Sequence, residues 1–429
     1  MQLRSKLPPN IRPGIPWLCG LLAFAVFVAG IGGPSLWIDE GHTWRYAQEP
    51  LGTMLSTTLG STNAVEAAYY VVLHFWIGIA GSSEVALRLP SAVAMAIAVW
   101  AASRTAEQAA GYRAAAIAGF VMIAMPGMTR YAQEARPYAL AVAAVAVSTL
   151  MLFQGLTHKE RRWWVGYTAS LIVIGYFHLL SMLVVPGQFL AMLLIARQEW
   201  RKFAVSMVVA AAAVAPVAVL GFGQRGQISW IPPAQLDYLW NGYAVMTGSL
   251  ALTACLAVLV VTGRGDRRLT TLGLGAALAT PVLLWMLGLL GPFYLGRYLL
   301  GAAPGIAILA AGAASNLRPA SLLALAAIVV ALVLPQQIDF RGPAAHNQDY
   351  RGAAALVATD CSARVSYDGM SKDAMEYYLS QQPCGPSETA PSDRLWVVQA
   401  SGPQVAEPGY RIVKTATFGM AIVTYWVAE

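Results

Sequence analysis

Eleven residues of the chain, Leu36 to Tyr46, combine groups suited to acid–base chemistry: Asp39, Glu40, His42 and Arg45, among three aromatic rings. Only 11% of all residues are charged, and charges beside a long apolar run are costly unless they pair or face water, so such a cluster is a candidate functional site. Adjacent side chains point to different sides, so we expect different roles for the two carboxylates. One would act as general base on an acceptor hydroxyl, and the other would hold the acceptor, a metal ion or Arg45. The alternative is a solvated loop start.

A second polar stretch, Thr129 to Tyr138, contains two arginines, a carboxylate and two tyrosines: Arg130, Arg136, Glu134, Tyr131 and Tyr138. Guanidinium groups bind phosphate with planar, bidentate hydrogen bonds, and the carboxylate could orient one of them. The stretch therefore predicts a phosphate site. An interfacial belt of snorkelling Tyr and Arg side chains is the open alternative.

Isolated polar residues mark other boundaries between loops and apolar runs. Arg88 and the pair Arg297-Tyr298 are each compatible with a simple snorkelling anchor. Together with Arg130 and Arg136, however, they would place four arginines on the outer side, which predicts an anionic partner. His178 follows Tyr176-Phe177 at an outer turn and is either a hydrogen-bonding residue or a ligand or base.

Composition defines the class of protein that carries these groups. The chain has 429 residues, of which 57% are hydrophobic, and a mean hydropathy of +0.56. A soluble protein of this length needs far more charge, so we expect a polytopic α-helical membrane protein. The net charge of +7 lies in short loops between apolar runs, which is the positive-inside pattern and not a nucleic-acid signal. Zinc-peptidase, ATPase, voltage-sensor and repeat-transporter patterns were not found.

The basic loops predict the topology. Arg4, Lys6 and Arg12 indicate a cytoplasmic N-terminus, and the first span, Trp17 to Gly32, leads to a first external loop at 33–88. Within that loop, Ala67 to Ala80 is too short to span and suits an interfacial helix. The membrane core, residues 1–335, would then contain about 11 spans. If residues 67–80 did span, the basic loops 158–162, 197–202 and 264–268 would all lie outside.

The tail, residues 336–429, is richer in charge and predicts a small extracytoplasmic α/β domain. Strands are expected at 365–367, 395–398 and 421–427, and short helices at 353–358 and 374–379. Cys361 and Cys384 could pair if this tail is extracytoplasmic, whereas Cys19 and Cys255 lie in apolar runs and are expected to be packing residues.

Four motifs recur in the order of a known family: Trp37-Ile38-Asp39-Glu40, Gly81 to Ser91, Tyr131 to Tyr138, and Gly296-Arg297-Tyr298-Leu299. They resemble the bacterial GT-C superfamily glycosyltransferases related to protein O-mannosyltransferases and aminoarabinose transferases, which are family 39-like. The resemblance covers residues 15–335. It implies a GT-C-type core and transfer of a sugar, with inversion, from a polyprenyl-phosphate carrier outside the membrane.

The resemblance also implies roles for individual residues. Asp39 would be the catalytic base and Glu40 its acceptor-binding neighbour. Glu84 and Arg88 match the interfacial segment, and Arg136 with Tyr138 matches the motif that faces the carrier phosphate. Relatives often carry a His-Pro-Pro-like element where this chain has Asn63 to Tyr70, so the acceptor and any divalent metal stay open.

The sequence therefore predicts a multi-pass enzyme of the cell membrane that moves a hexose, with mannose the leading candidate, to a glycan, glycolipid or protein acceptor. The expected substrate-binding residues are Glu40, His42, Glu84, Arg88, Arg130, Tyr131, Glu134, Arg136, Tyr138, His178, Arg297 and Tyr298. No cofactor is certain. The rivals are a flippase or transporter of a lipid-linked glycan, which needs charges in mid-span, and a non-catalytic membrane scaffold.

Overall fold

The computed structural model describes residues 14–263, 265–383, 389, 393–402 and 408–429. The chain forms two compact units. The first unit contains Met1–Ala29, Leu55–Tyr69 and Leu89–Gln337. The second contains Gly30–Met54, Tyr70–Arg88 and Ile338–Glu429, so it combines the tail with two pieces of the predicted first external loop. The basic residues Arg4, Lys6 and Arg12, which predicted the side of the N-terminus, lie outside the described residues.

Most of the described chain is helical. The α-helices up to the second polar stretch are α1 (Gly14–Val28), α2 (Ile38–Gln48), α3 (Leu51–Gly60), α4 (Ala67–Ala80), α5 (Glu84–Ala110), α6 (Tyr112–Ala124) and α7 (Pro126–Ala132). The helices that follow are α8 (Tyr138–His158), α9 (Arg161–Phe177), α10 (Val185–Ala196), α11 (Trp200–Gly223), α12 (Tyr238–Thr247), α13 (Leu250–Thr262), α14 (Arg267–Leu290), α15 (Ala303–Ala314), α16 (Pro319–Asp339), α17 (Tyr350–Val357) and α18 (Lys372–Leu379). Short 3-10 helices lie at Ala64–Glu66, Leu179–Val184, Arg197–Glu199, Arg225–Ile228 and Gly296–Ala302.

Among the described residues, six helical stretches are long and apolar enough to cross a membrane, or up to eight if each of two bent pairs is one span. The sequence predicted about 11 spans. The counts differ partly because α1 and α9, with 15 and 17 residues, are short. In addition, the 45-residue stretch Leu179–Gly223 is counted once although it contains both α10 and α11. The predicted helix Ala67 to Ala80 is α4, with the same bounds.

The described part of the tail contains a four-stranded sheet in the order β1-β2-β4-β3. The strands are β1 (Arg364–Tyr367), β2 (Arg394–Gln399), β3 (Tyr410–Phe418) and β4 (Ala421–Ala428). β1 and β2 are parallel and are joined through α18, while β4 pairs antiparallel with both β2 and β3. β2 lies inside the sheet and is a continuous buried run, as expected of a strand covered on both faces.

Strand β3 was missing from the sequence prediction. It lies at the edge of the sheet, is mostly exposed and carries Arg411 and Lys414, so it lacks the apolar alternation that identifies a half-buried strand. A two-residue turn, Gly419-Met420, joins it to β4. Gly419 has φ +64°, a conformation that glycine adopts at little steric cost.

Candidate functional site

In the second unit, Glu40 and Arg88 form a completely buried ion pair. Arg88 donates from Nε to Oε1 of Glu40 over 2.8 Å and from Nη2 to Oε2 over 2.7 Å, and both side chains have 0% exposure. Its other donors reach the backbone carbonyls of Ile31, Pro34 and Ser35 at 2.8–3.1 Å. Protein acceptors thus engage all five N–H donors of the guanidinium. Arg88 in this arrangement stabilises the chain before α2 and offers no further donor to a phosphate.

Glu40 is equally enclosed. Burial acts to raise the pKa of its carboxyl, but the charge and hydrogen bonds of Arg88, together with His346, outweigh burial and hold that pKa well below its ordinary value. His346 Nδ1 lies 3.4 Å from Oε2 of Glu40, and this histidine also has 0% exposure. An ionised, buried and doubly partnered carboxylate fits a structural role better than the acceptor-binding role expected from the sequence.

A second arginine–glutamate pair, whose arginine lies in the tail, binds the same chain segment before α2. Arg351 donates to Glu84 over 2.6 and 3.2 Å and to the carbonyls of Gly32, Gly33 and Pro34. The Tyr378 hydroxyl also contacts Glu84 and accepts a 2.6 Å hydrogen bond from the Leu36 backbone N–H. Glu84, which was expected to bind substrate, therefore belongs to this structural network.

The network fixes the chain immediately before α2 and so positions Asp39. Asp39 lies in the first turn of α2 and is half-buried, whereas its neighbour Glu40 is buried. The positive end of a helix macrodipole favours an ionised carboxylate at this position. α2 also packs closely on α18, because a Cβ on Gly41 would lie 2.6 Å from the backbone nitrogen of Ala374. Larger residues at position 41 would displace the helix that carries Asp39.

His42 lies one turn after Asp39, on the same side of α2. Its Nδ1 contacts the buried carboxylate of Asp373, which also accepts a 3.1 Å hydrogen bond from Arg45. Burial would raise the pKa of Asp373, but its hydrogen bond to His42 and the charges of His42 and Arg45 lower it. The His42 side chain is 35% exposed, so Asp373 fixes one ring nitrogen while the ring keeps an accessible edge.

In the first unit, the second polar stretch forms the turn between α7 and α8. Pro137 at its end favours the start of a new helix at Tyr138. The Gln133 amide donates to the carbonyls of Phe27 and Ala29 at 2.8 and 2.9 Å, which ties the turn to the end of α1. Glu134 is completely buried and Arg136 is 6% exposed. The turn is therefore a packed part of the helical unit.

Two predicted motifs, distant in sequence, meet around the ring of Tyr138. The guanidinium carbons of Arg136 and Arg297 both lie 6.0 Å from its centroid. The ring centroid of His178 lies 5.5 Å from that of Tyr138 and 5.1 Å from that of Tyr298. The ring centroid of Tyr131 lies 5.5 Å from that of Tyr138, and the guanidinium carbon of Arg130 lies 5.7 Å from the Tyr131 centroid. We call this set the Arg–Tyr cluster; its members are Arg130, Tyr131, Arg136, Tyr138, His178, Arg297 and Tyr298.

The Arg–Tyr cluster holds three arginines beside the buried carboxylate of Glu134. The charges of Arg130, Glu134 and Arg297 all act on the Tyr131 hydroxyl. Burial first, and then the charges of Arg297 and Arg136, hold the pKa of His178 well below its ordinary value. His178 therefore stays neutral near pH 7, and its Nδ1 lies 2.7 Å from Ser181 Oγ. Arg136 and Arg297 beside a neutral imidazole form a setting that favours an anion.

A cavity of about 420 Å³ adjoins the Arg–Tyr cluster within the first unit. Its polar lining includes Glu66, Tyr138, His178, Arg225 and Tyr298. The rest of the wall is largely apolar and includes Leu179, Leu180, Ala218, Phe222, Ile228 and Phe293. Arg136 forms an ion pair with Glu66. The cavity thus joins an apolar wall to a polar end that borders the Arg–Tyr cluster, as a lipid carrying a phosphate would require.

Several residues of these sites were not predicted. Glu66 lies in the stretch that differs from the family element, and its ion pair with Arg136 is a contact across 70 sequence positions. His346, Arg351, Asp373 and Tyr378 lie in the tail, more than 250 positions from their partners. No spacing rule predicts such long-range contacts. For the four tail residues, the only indication in the sequence was the high density of charge in the tail.

The described residues contain no group of three His, Cys, Asp or Glu side chains arranged to hold a metal ion. Cys19 and Cys255 are free. Cys361 is disulfide-bonded, and its predicted partner, Cys384, lies outside the described residues.

Comparison with known proteins agrees with this architecture. Residues 67–222 match the family model described as dolichyl-phosphate-mannose-protein mannosyltransferase. The crystal structure of ArnT from Cupriavidus metallidurans in the apo state is similar, with a TM-score of 0.65 at 15% identity, over 96% of this chain and 98% of that chain. ArnT from the same organism bound to undecaprenyl phosphate gives a TM-score of 0.62 at 14% identity over the same shares. No curated sequence matches significantly.

The helical core, the small C-terminal sheet and the match over nearly the whole of both ArnT chains confirm the fold expected from the motifs. The chain therefore has an ArnT-like GT-C fold.

Proposed function

We propose that the chain is an integral membrane glycosyltransferase that transfers a sugar from a polyprenyl-phosphate carrier, with inversion, to an extracytoplasmic acceptor. The observation that carries the proposal is the Arg–Tyr cluster beside the apolar cavity. Mannose is the leading donor sugar, which the description of the matching family supports. The undecaprenyl phosphate bound to ArnT supports a carrier of this class.

The leaving group explains why arginines are needed. When the bond between the anomeric carbon and the phosphate oxygen breaks, the electron pair stays on that oxygen and a phosphodiester becomes a monoester. Its added negative charge is stabilised by donors already in place. Arg136 and Arg297 would supply them, with Arg130 over the adjoining ring of Tyr131. Neutral His178 and the tyrosines would orient the phosphate without competing for its charge.

Asp39 would act as the general base. An ionised carboxylate takes the proton of the acceptor hydroxyl as that oxygen attacks the anomeric carbon from the side opposite the phosphate. One attack from that side inverts the configuration. Asp39 is half-buried in the first turn of α2, where the helix macrodipole favours a carboxylate, while Glu40 is engaged with Arg88.

The proposal is tested by transfer assays in lipid with a panel of radiolabelled polyprenyl-phosphate sugars and a membrane extract as acceptor. Arg297→Gln and Arg136→Gln should each lower the turnover rate by about a hundredfold or more, the usual cost of losing one donor to developing charge. Arg411→Gln, an exposed arginine of β3, is the matched control and should keep full activity.

Turnover with a donor other than mannose would keep the mechanism and change the sugar. Absence of turnover with every donor, or full turnover in both arginine variants, would overturn the proposal and favour transport or a scaffold role.

A further inference from the structure

A second cavity of the first unit lies in a groove between α9 and α11 and has a volume of about 730 Å³. Trp164 and Ser206 form its buried floor. Its walls include Val165, Val205 and Val209, which are 58%, 63% and 47% exposed. An apolar groove of this kind, open at the surface of a helix pair, has the shape and chemistry to take an acyl chain.

One end of this groove is cationic. Lys159, Arg161, Arg201 and Lys202 all line it, where α9 and α11 both begin. The two helix N-termini add partial positive charge at the same end. The apolar walls and the charged end together form a site for an amphiphile with an anionic head.

The acidic residues nearby leave part of this charge uncompensated. Glu160 pairs with Arg162 at 2.6 Å, and Glu199 pairs with Lys202 at 2.8 Å. Across the described part of the chain, Lys159 and Arg161 make no ion pair. Their charges are available to a ligand.

We infer that the groove between α9 and α11 is a binding site for an acidic diacyl phospholipid of the bilayer, with the phosphate at Lys159 and Arg161 and an acyl chain along the valine walls. Charge complementarity selects an anionic head, and the open apolar groove selects a membrane lipid over a soluble phosphate. The site is separate in sequence from the Arg–Tyr cluster and its cavity, and the inference does not depend on the proposed reaction.

The test is titration of the purified full chain, in a neutral detergent, with fluorescent phosphatidylglycerol. Each Lys or Arg near a lipid head contributes about fivefold in affinity, so Lys159→Ala with Arg161→Ala should weaken binding about thirtyfold. Arg162→Ala is the matched control, because this neighbouring arginine is paired with Glu160 and lies over Trp163 at 4.7 Å. It should leave binding nearly unchanged.

Further titrations test the groove and decide the identity of the ligand. Ala169→Phe, which narrows the groove without changing charge, should weaken phosphatidylglycerol binding. Phosphatidylcholine and inorganic phosphate should compete poorly with the labelled lipid. The inference fails if the double variant binds as tightly as the wild type, if phosphatidylcholine or inorganic phosphate competes equally, or if polyprenyl phosphate displaces the lipid more effectively than phosphatidylglycerol does.

Discussion

Removal of Arg88 should destabilise the second unit severely. Arg88→Met leaves the buried carboxylate of Glu40 without its main partner, and an uncompensated buried charge costs about 3–5 kcal/mol. The carbonyls of Ile31, Pro34 and Ser35 also lose their donor, at about 1–3 kcal/mol for each buried group left unsatisfied. These costs overlap, but even the first is a large part of the 5–15 kcal/mol typical of a whole domain.

A double variant separates charge from packing. Glu40→Leu with Arg88→Met removes both charges, and apolar replacement of a buried pair is often neutral. The three carbonyls remain unsatisfied, so we expect partial recovery, by about 2 kcal/mol relative to Arg88→Met alone. The exposed Arg411→Met should change stability by less than about 0.5 kcal/mol.

The assay is thermal unfolding in detergent, followed by tryptophan fluorescence and by protease sensitivity of the tail. We expect a large loss of Tm for Arg88→Met, a smaller loss for the double variant and none for Arg411→Met. A wild-type Tm for Arg88→Met, or a double variant no more stable than the single one, would refute this expectation.

Three further predictions concern Asp373, Glu40 and Glu66. Asp373→Asn should weaken the hold on His42 and cost about 1–3 kcal/mol, measurable as a lower Tm, and an unchanged Tm would contradict the contact. The pKa of the Glu40 carboxyl is lower in the folded state than its ordinary value of 4.5. Below that pH the unfolded chain therefore binds more protons than the folded chain, so acidification lowers stability. As the pH falls below about 4.5, the Tm of the wild type should decrease, and the Tm of Glu40→Gln should decrease less steeply. Glu66 pairs with Arg136 and would compete with a phosphate for that arginine. Glu66→Gln should therefore tighten binding of polyprenyl phosphate several-fold in a titration, and weaker binding would contradict the competition.

The fold was predictable where local patterns determine it. Apolar runs bounded by basic loops identified the helical core, and α4 has the bounds read from its sequence. Strands β1, β2 and β4 were found from β-branched and aromatic runs. Edge strand β3 was not found, because an exposed strand has no buried face to impose alternation.

The site was predictable only in part, because the sequence does not show which residue each charged side chain pairs with. The sequence indicated that Arg136, Tyr138, Arg297 and Tyr298 share a chemistry, and in the first unit they do converge. Glu40 and Arg88 carried the same signal of charge near a membrane, yet they neutralise each other inside the second unit. Whether a charged side chain can bind a substrate or is already paired inside the protein depends on contacts between residues that are tens to hundreds of positions apart. Short-range residue spacing does not indicate such contacts.

The central claim is that Asp39 is the base of a sugar transfer from a polyprenyl-phosphate carrier. The most direct test compares wild type, Asp39→Asn and Asp393→Asn in release of the unlabelled carrier and formation of a labelled product, with carrier binding measured in parallel. Asp393 is a 77% exposed carboxylate of the tail and makes a matched control. We expect Asp39→Asn to lower turnover by about 10²–10⁴-fold with unchanged carrier affinity and fold, and Asp393→Asn to keep full activity. Near-normal turnover in Asp39→Asn would contradict the central claim.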